Sequence, residues 1–328
     1  MLRKLGDGTY RLEWVTQCLC GSEDSITIAT QDRFGLPVGV VACRRCGLAR
    51  TNPRLHSDDV EAFYRDDYHG LHMGIPEPTP DVALFKTGQG SRIYGLLRHE
   101  LPTTVRLAEI GCGTGRVMRE FVAAAARDGI HVEAAGCEYA PAYVAAGEAA
   151  GSTIRLGSIE TLVDLGPFEV VIMSHVLEHF TDVPRDLAAT SELLSDHGIV
   201  YVEVPGLTAI DSKPEYDYDL VKYVTLAHTY HFSLGTLANV MARAGYVLIS
   251  GDEDVRALFR RGPSMEITAA THLDQLLDYL EWLRTSPRMR VKRFGRRLRR
   301  FALDSFARLV GNRGYEAARN ATRAIRSR

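Results

Sequence analysis

The sequence predicts an α/β protein built on a doubly wound, mostly parallel sheet, with a small N-terminal module and a C-terminal helical extension. Three observations predict it: short apolar runs alternating with helical patterns in the middle of the chain, a glycine-rich turn after the first run, and two cysteine pairs within residues 18–46. With 328 residues, 45% of them hydrophobic and 24% charged, the chain can bury a full core, which excludes a disordered protein. The expected division is 1–58 for the cysteine module, 59–104 for a helical lead-in or lid, 105–262 for the core and 263–328 for a basic helical extension.

In chain order, Cys18-Leu-Cys20-Gly and Cys43-Arg-Arg-Cys46-Gly-Leu bracket two β-like runs, Ser25–Ala29 and Pro37–Ala42. Four thiolates gathered by a hairpin give a closed tetrahedral shell with no position left for water or substrate, so Cys18, Cys20, Cys43 and Cys46 are expected to hold a structural zinc. Four small thiols packed in a core are the alternative. Cys112 and Cys137 are expected to pack within the sheet. Next, Phe-Tyr-Arg-Asp-Asp-Tyr-His places Tyr64, Tyr68 and His69 where a lid could form.

Val105–Ile110, Val132–Cys137, Thr153–Leu156, Glu169–Met173 and Ile199–Val204 predict buried strands, with helical patterns at Val117–Arg127 and Asp186–Leu194. Strand, helix and strand in repetition give a parallel sheet covered on both faces, whose ligands bind beyond the carboxyl ends of the strands. The first of these strands runs into Leu-Ala-Glu-Ile-Gly-Cys-Gly-Thr-Gly-Arg, residues 107–116. Gly111, Gly113 and Gly115 allow a tight turn and close approach of a ligand to backbone amides. A dinucleotide fingerprint wants glycine where Arg116 stands. Instead Glu109 precedes the glycines and Glu138 ends the next strand. Carboxylates there suit a ribose diol and a cationic ligand better than a pyrophosphate.

With these motifs in order, Glu109-Ile-Gly-Cys-Gly-Thr-Gly115, Glu138, Phe168 through His179 and Val202-Glu-Val-Pro-Gly206, the chain resembles a class I S-adenosylmethionine-dependent methyltransferase over roughly residues 60–261. The likeness extends through the closing pattern His228 to Ser233, Leu237 and Ala244-Gly-Tyr246. It implies a Rossmann-like seven-stranded sheet and S-adenosylmethionine as methyl donor. By that likeness Glu109 and the three glycines border the methionine moiety, Glu138 binds the ribose, Ser158 and Ile159 flank the adenine, and Ser174 belongs to the pocket floor. Many relatives carry an acid where Ser158 stands. The cysteine module resembles a zinc-binding module ahead of some bacterial methyltransferases, sugar-modifying ones included, although its first pair is C-x-C where C-x-x-C is usual.

The acceptor is read from histidines. His175, Glu178 and His179 spell H-x-x-E-H, which on a helix would suit an inverted zinc-peptidase site. Here the run follows a core strand, so His175 is expected in the pocket, and Glu178 and His179 are expected to cap or anchor the next helix. A hydroxyl acceptor benefits from a base near neutral pH, and His175, His228 and His231 are the catalytic candidates. For His228 and His231 the alternative is that they tie the 207–231 connection to the core. Related enzymes that methylate bases or glutamine usually carry Asn/Asp-Pro-Pro-aromatic after the fourth strand, and Ser174-His-Val-Leu177 differs. The expected acceptor is therefore a small molecule or glycan, first of all a sugar hydroxyl of a nucleotide- or lipid-linked saccharide. The alternatives are an RNA methyltransferase and a non-catalytic S-adenosylmethionine-binding regulator or scaffold.

Charge is uneven along the chain. Residues 284–328 hold fifteen Arg or Lys against two acids, Asp304 and Glu316, a net +13, so residues 1–283 carry −15 within a total of −2. From Arg288 onward Val291, Phe294, Leu298 and Phe301 share one helical face. That pattern fits three roles: docking on an anionic membrane, binding RNA phosphates, or packing the apolar stripe on the acidic core. Nucleic acid is the less expected partner. No window approaches the roughly 18 apolar residues of a membrane span, and Met-Leu-Arg-Lys-Leu-Gly-Asp-Gly lacks an apolar signal region, so a cytoplasmic location is expected, peripheral at the inner membrane face under the membrane-docking role.

Overall fold

The structure, a computed structural model, describes residues 1–74, 77–78, 87–265, 271–299 and 301–302. In the N-terminal part β1 (Ser25–Ala29), β2 (Gly39–Cys43) and β3 (Ala49–Asn52) form an antiparallel meander. Two short helices, α1 (Val60–Asp66) and α2 (Tyr68–Met73), and a longer one, α3 (Gln89–Leu97), lead into the core. There β4 (Thr104–Ile110), α4 (Arg116–Arg127), β5 (His131–Glu138), α5 (Pro141–Ala149), β6 (Thr153–Leu156), β7 (Phe168–Ser174), α6 (Val183–Leu193) and β8 (Leu194–Glu203) follow in sequence. After a connection come β9 (Tyr230–His231), α7 (Leu234–Arg243), the hairpin β10 (Tyr246–Gly251) and β11 (Arg256–Arg261), and α8 (Thr271–Thr285).

The central sheet has seven strands in the order β10-β11-β8-β7-β4-β5-β6. Its five middle and outer strands from β8 to β6 are parallel, and β11 runs antiparallel to both β8 and β10. The reversal of strand order between β4 and β7 creates the crevice where such sheets bind ligands. Strand β7 is buried at nearly every position because helices cover both faces, which is why its sequence reads as an apolar run without alternation. Helix α4 turns Val117, Met118, Phe121, Ala124 and Ala125 inward, one face of a 3.6-residue repeat. Gly90 lets α3 approach it closely, since a Cβ there would stand 2.1 Å from the Val117 carbonyl oxygen.

The expected α/β class and doubly wound seven-stranded sheet are what the structure has. Element ends differ for identifiable reasons. The expected helix Asp186–Leu194 starts earlier, because the Asp182 carboxylate accepts from the Arg185 amide and Pro184 suits a first turn. Strand β8 starts at Leu194, directly after that helix. In the N-terminal sheet β9 pairs antiparallel with β3, Tyr230 opposite Arg50 and His231 opposite Ala49, so the sheet within residues 1–58 is completed by chain from beyond the core's fifth parallel strand. At the C-terminus residues 287–299 and 301–302 are helical, and of the expected extension residues 266–270, 300 and 303–328 lie outside the described residues. Among the described residues no helix is long and apolar enough to cross a membrane.

Candidate active site

The glycine turn sits at the carboxyl end of β4, where Gly111, Gly113 and Gly115 all take positive φ, 63°, 57° and 69°. A left-handed conformation repeated at alternate positions demands glycine, and it carries the backbone around to start α4. Glu138, ending β5, joins this turn: Gly113 and Ala140 donate their amides to its two carboxylate oxygens, each at 3.0 Å. The Gly157 amide donates to the Glu138 carbonyl at 2.9 Å, which sets Ser158 and Ile159 beside the same strand end. The Ser158 hydroxyl donates to Glu160, and Ile159 is buried. Glu109 is fully buried within β4. The residues expected around a nucleoside donor therefore converge on the ends of neighbouring strands.

The adjoining strand end carries the second half of the site. Ser174 closes β7, and His175 follows with φ 59°, a conformation unusual for a side chain with a Cβ and common where a site imposes it. A Cβ on Gly111 would meet Val176 Cγ2 at 2.7 Å, so the glycine turn and the His175 loop lie in contact. The H-x-x-E-H run is not on an α-helix: Leu177–His179 is a single 3₁₀ turn, and the one-turn stacking of two imidazoles that an inverted zinc-peptidase site requires does not form. Instead Glu178 is buried, with His175 Nδ1 at 3.5 Å, His179 Nε2 at 3.7 Å and His228 Nε2 at 4.0 Å from its Oε1. Neither Glu178 oxygen accepts a hydrogen bond among the described residues. The ligand atoms of Glu178, His179 and His228 lie within 4.8 Å of one another.

Tautomers follow from the partners. His179 Nδ1 faces the Ala227 carbonyl at 2.8 Å and must donate to it. The Thr51 hydroxyl donates to the His228 carbonyl, so toward His231 it accepts, and His231 Nε2 donates across 3.0 Å. His231 thus ties β9 to β3, the anchoring alternative weighed for it in the sequence. His228 differs, since its Nδ1 is buried without a hydrogen-bond partner among the described residues. Burial, and then the neighbouring His179, His231 and His72, push the His228 pKa well below the ordinary 6.5, so the ring is neutral. Burial likewise takes His72 and His231 to about 3.

The lead-in helices roof this cluster. Tyr64 and Tyr68 set ring edges against His179 at 5.4 and 5.5 Å, and His72 lies parallel to His228 at 6.4 Å. His69 stacks on Tyr143 of α5 at 3.7 Å, and Tyr143 Cδ1 is the nearest atom, 3.8 Å, to a Cβ placed on Gly113. One pair of short helices therefore spans both halves of the site. Burial raises the Tyr64 and Tyr68 pKa, keeping both phenols protonated.

Gln89, Arg92 and Tyr201, which the sequence did not single out, support the floor together with Glu203, to which it assigned no role. Gln89 donates to the Ser174 hydroxyl at 2.7 Å and to Glu203, while Arg92 reaches Glu203 at 2.8 Å and the Tyr201 hydroxyl at 3.0 Å. Burial works against the Glu203 carboxylate, but His175, Arg92 and Gln89 together outweigh it and hold its pKa below the ordinary value. The only sequence signal was an acid at the end of a core strand, Val202-Glu-Val, the same signal that marked Glu138. Its partners come from α3 and have no motif.

The four cysteines lie together, in the same apolar cluster as Leu48, Tyr230 and Leu237. Sulfur atoms of Cys18 and Cys46, and of Cys20 and Cys43, stand 3.6 Å apart, and all four lie within 4.8 Å of one another. All are buried and none is in a disulfide. Four thiolates at about 2.3 Å from one zinc would sit about 3.8 Å apart, so the group fits a structural zinc. The C-x-C pair closes because Gly21, at φ 86°, returns its amide to the Cys18 carbonyl. Gly47, at φ 74°, does the same toward Cys43.

The family model described as a methyltransferase domain matches residues 87–250, half of the chain. The chain belongs to this methyltransferase family. The enzyme is similar in fold to an S-adenosylmethionine-dependent methyltransferase from Mesorhizobium loti, at 16% identity over 51% of this chain and 96% of that one, with a TM-score of 0.39. It is similar to DesVI of Streptomyces venezuelae at 18% identity, over 55% and 95% of the two chains, with a TM-score of 0.40. An S-adenosylmethionine-dependent methyltransferase from Archaeoglobus fulgidus shares 17% identity over 51% and 75%, with a TM-score of 0.38. No curated protein matches the sequence. By its family the chain is an S-adenosylmethionine-dependent methyltransferase, and Glu138, fixed at the glycine turn by the Gly113 and Ala140 amides, is a carboxylate that suits that donor's ribose diol.

Proposed function

We propose that this methyltransferase alkylates a sugar hydroxyl of a nucleotide- or lipid-linked saccharide, with His228 as general base. One observation carries the reading: a neutral, buried imidazole beside a buried carboxylate, under a roof of aromatic side chains next to the His175 loop. When bound, S-adenosylmethionine supplies a methyl group on a sulfonium, a good leaving group. The chain's task is then to hold the acceptor close, keep water out and take one proton.

In this reading Glu109, Gly111, Gly113, Gly115 and Ser174 border the methionine part of the donor, Glu138 holds the ribose, and Ser158 with Ile159 flank the adenine. Glu178 keeps the His228 proton on Nε2, 4.0 Å away, which leaves the lone pair on Nδ1. That nitrogen has no partner within the described protein and accepts the hydroxyl proton. The resulting imidazolium is stabilised by Glu178 in a site of low dielectric. His175 orients the acceptor at the mouth, and His231 holds the β9 connection that presents His228. Amine and aromatic nitrogen acceptors need no such base, and this favours an oxygen nucleophile. The sugar class is supported by the likeness of the cysteine module to that of sugar-modifying enzymes, with Cys18, Cys20, Cys43 and Cys46 holding a structural zinc.

The test is methyl transfer from S-adenosylmethionine carrying a labelled methyl group to a panel of nucleotide sugars and lipid-linked saccharides, with total RNA as a parallel arm. Label on a sugar oxygen is expected. Label on RNA alone would reassign the acceptor, and donor binding without transfer to any of them would favour the regulator.

A further inference from the structure

The helix over residues 287–299 is seated on the body the wrong way round for a helix whose only surroundings are its own protein and water. Its inward face is cationic. Lys292 donates to the Asp211 carbonyl at 2.8 Å, Arg296 pairs with Asp217 at 3.3 Å, and Arg293 donates to the Tyr218 and Arg284 carbonyls. Met289, fully buried, is the apolar anchor on that side. The apolar stripe faces outward: Val291 is 71% exposed, Phe294 63%, Leu298 53% and Phe301 72%. Spacings of three, four and three residues keep these four on one line along the helix.

Of the three roles the sequence leaves open for the stripe, packing on the acidic core is not the one seen; the arginines and lysine make that contact in its place. A line of four large apolar side chains left in water marks a surface that something covers. The helical wheel shows what. At 100° per residue the stripe centres about 170° from the inward face, and two exposed arginines border it on each side, Arg290 and Arg297 on one, Arg288 and Arg299 on the other. Apolar side chains flanked by cations, with no acid among residues 286–302, match the boundary between acyl chains and anionic headgroups. A protein partner would need an apolar groove with acids along both rims, whereas a bilayer presents that arrangement everywhere.

We propose that the outer face of helix 287–299 is a docking surface for an anionic phospholipid bilayer, with Val291, Phe294, Leu298 and Phe301 entering the acyl boundary and the four bordering arginines meeting lipid phosphates. This does not depend on which acceptor the enzyme methylates. The exposed position of the stripe makes it removable without unfolding the chain.

The experiment is co-sedimentation of the full chain with vesicles of neutral phosphatidylcholine, alone or with one-third phosphatidylglycerol, at about 0.1 M salt, for the wild type and for Phe294→Asp/Leu298→Asp. Thermal melting of both proteins verifies their folding. The expected result is at least tenfold stronger binding to the anionic vesicles, reduced at least tenfold in the variant at unchanged melting temperature. Equal binding to both vesicle types, no binding, or binding that survives the double substitution would overturn the proposal. So would single-stranded RNA binding that outcompetes the vesicles and is unaffected by the substitutions. A wild-type dimer that the variant breaks, with no vesicle binding by either, would assign the stripe to self-association and likewise overturn it.

Discussion

His228 Nε2 lies 4.0 Å from Glu178 Oε1, and both side chains are buried. Among the described residues the carboxylate accepts no hydrogen bond and one imidazole nitrogen has no partner, each costly in a core; together they hold a neutral ring at rest beside a carboxylate able to stabilise the imidazolium formed only in turnover. His228→Asn is expected to lower turnover by about 100-fold or more, the usual scale of a lost general base, while S-adenosylmethionine affinity changes less than about twofold. Glu178→Gln is expected to lower turnover less. Steady-state rates beside calorimetric donor titration check both; turnover near wild type in His228→Asn would remove the base assignment.

A pH dependence of stability follows from the same cluster. Burial takes His72 and His231 to about 3 and lowers His228 well below its ordinary 6.5. Above about pH 7 all three are neutral folded or unfolded. Between about pH 6.5 and 3 the unfolded chain binds protons that the folded chain refuses, so stability falls as pH falls through that window. Melting temperature measured from pH 8 to pH 4 should decline below 6.5, with a shallower decline in His231→Asn. A profile identical in the variant would mean that His231 is not held neutral.

Purified chain is expected to carry one zinc, bound by Cys18, Cys20, Cys43 and Cys46. Cys43→Ser should lose the metal and several degrees of melting temperature, at about 2–4 °C per kcal/mol for a domain of this size. The loss should reach the core, because a Cβ on Gly47 would stand 2.7 Å from the Leu273 amide nitrogen, showing how tightly the cysteine loop meets α8. Elemental analysis with metal well below one equivalent in the wild type would favour four packed thiols.

The parts legible in the sequence were those written in local patterns. Apolar runs such as Glu169–Met173 gave strands because a doubly covered parallel sheet leaves no polar face, and Gly111, Gly113 and Gly115 gave the turn because only glycine repeats a positive φ so closely. What the sequence could not give were pairings across long separations. Strand β9 joins β3 across 180 residues through backbone bonds and the Thr51–His231 contact, which leave no periodic trace. Gln89 and Arg92 reach Glu203 from over 110 residues away for the same reason. The helix 287–299 shows a further limit: amphipathic spacing names a stripe but not the direction it faces.

Glu138 holds the account together, since its carboxylate is bound by the Gly113 and Ala140 amides where the donor's ribose is proposed to lie. Calorimetric titration of S-adenosylmethionine into the wild type and into Glu138→Ala tests this most directly. The wild type should bind, and the variant should bind about 10- to 100-fold more weakly, about 1.4–2.8 kcal/mol, in keeping with the loss of hydrogen bonds to a charged group. Equal affinity in the two folded proteins would contradict the placement of the donor at the glycine turn.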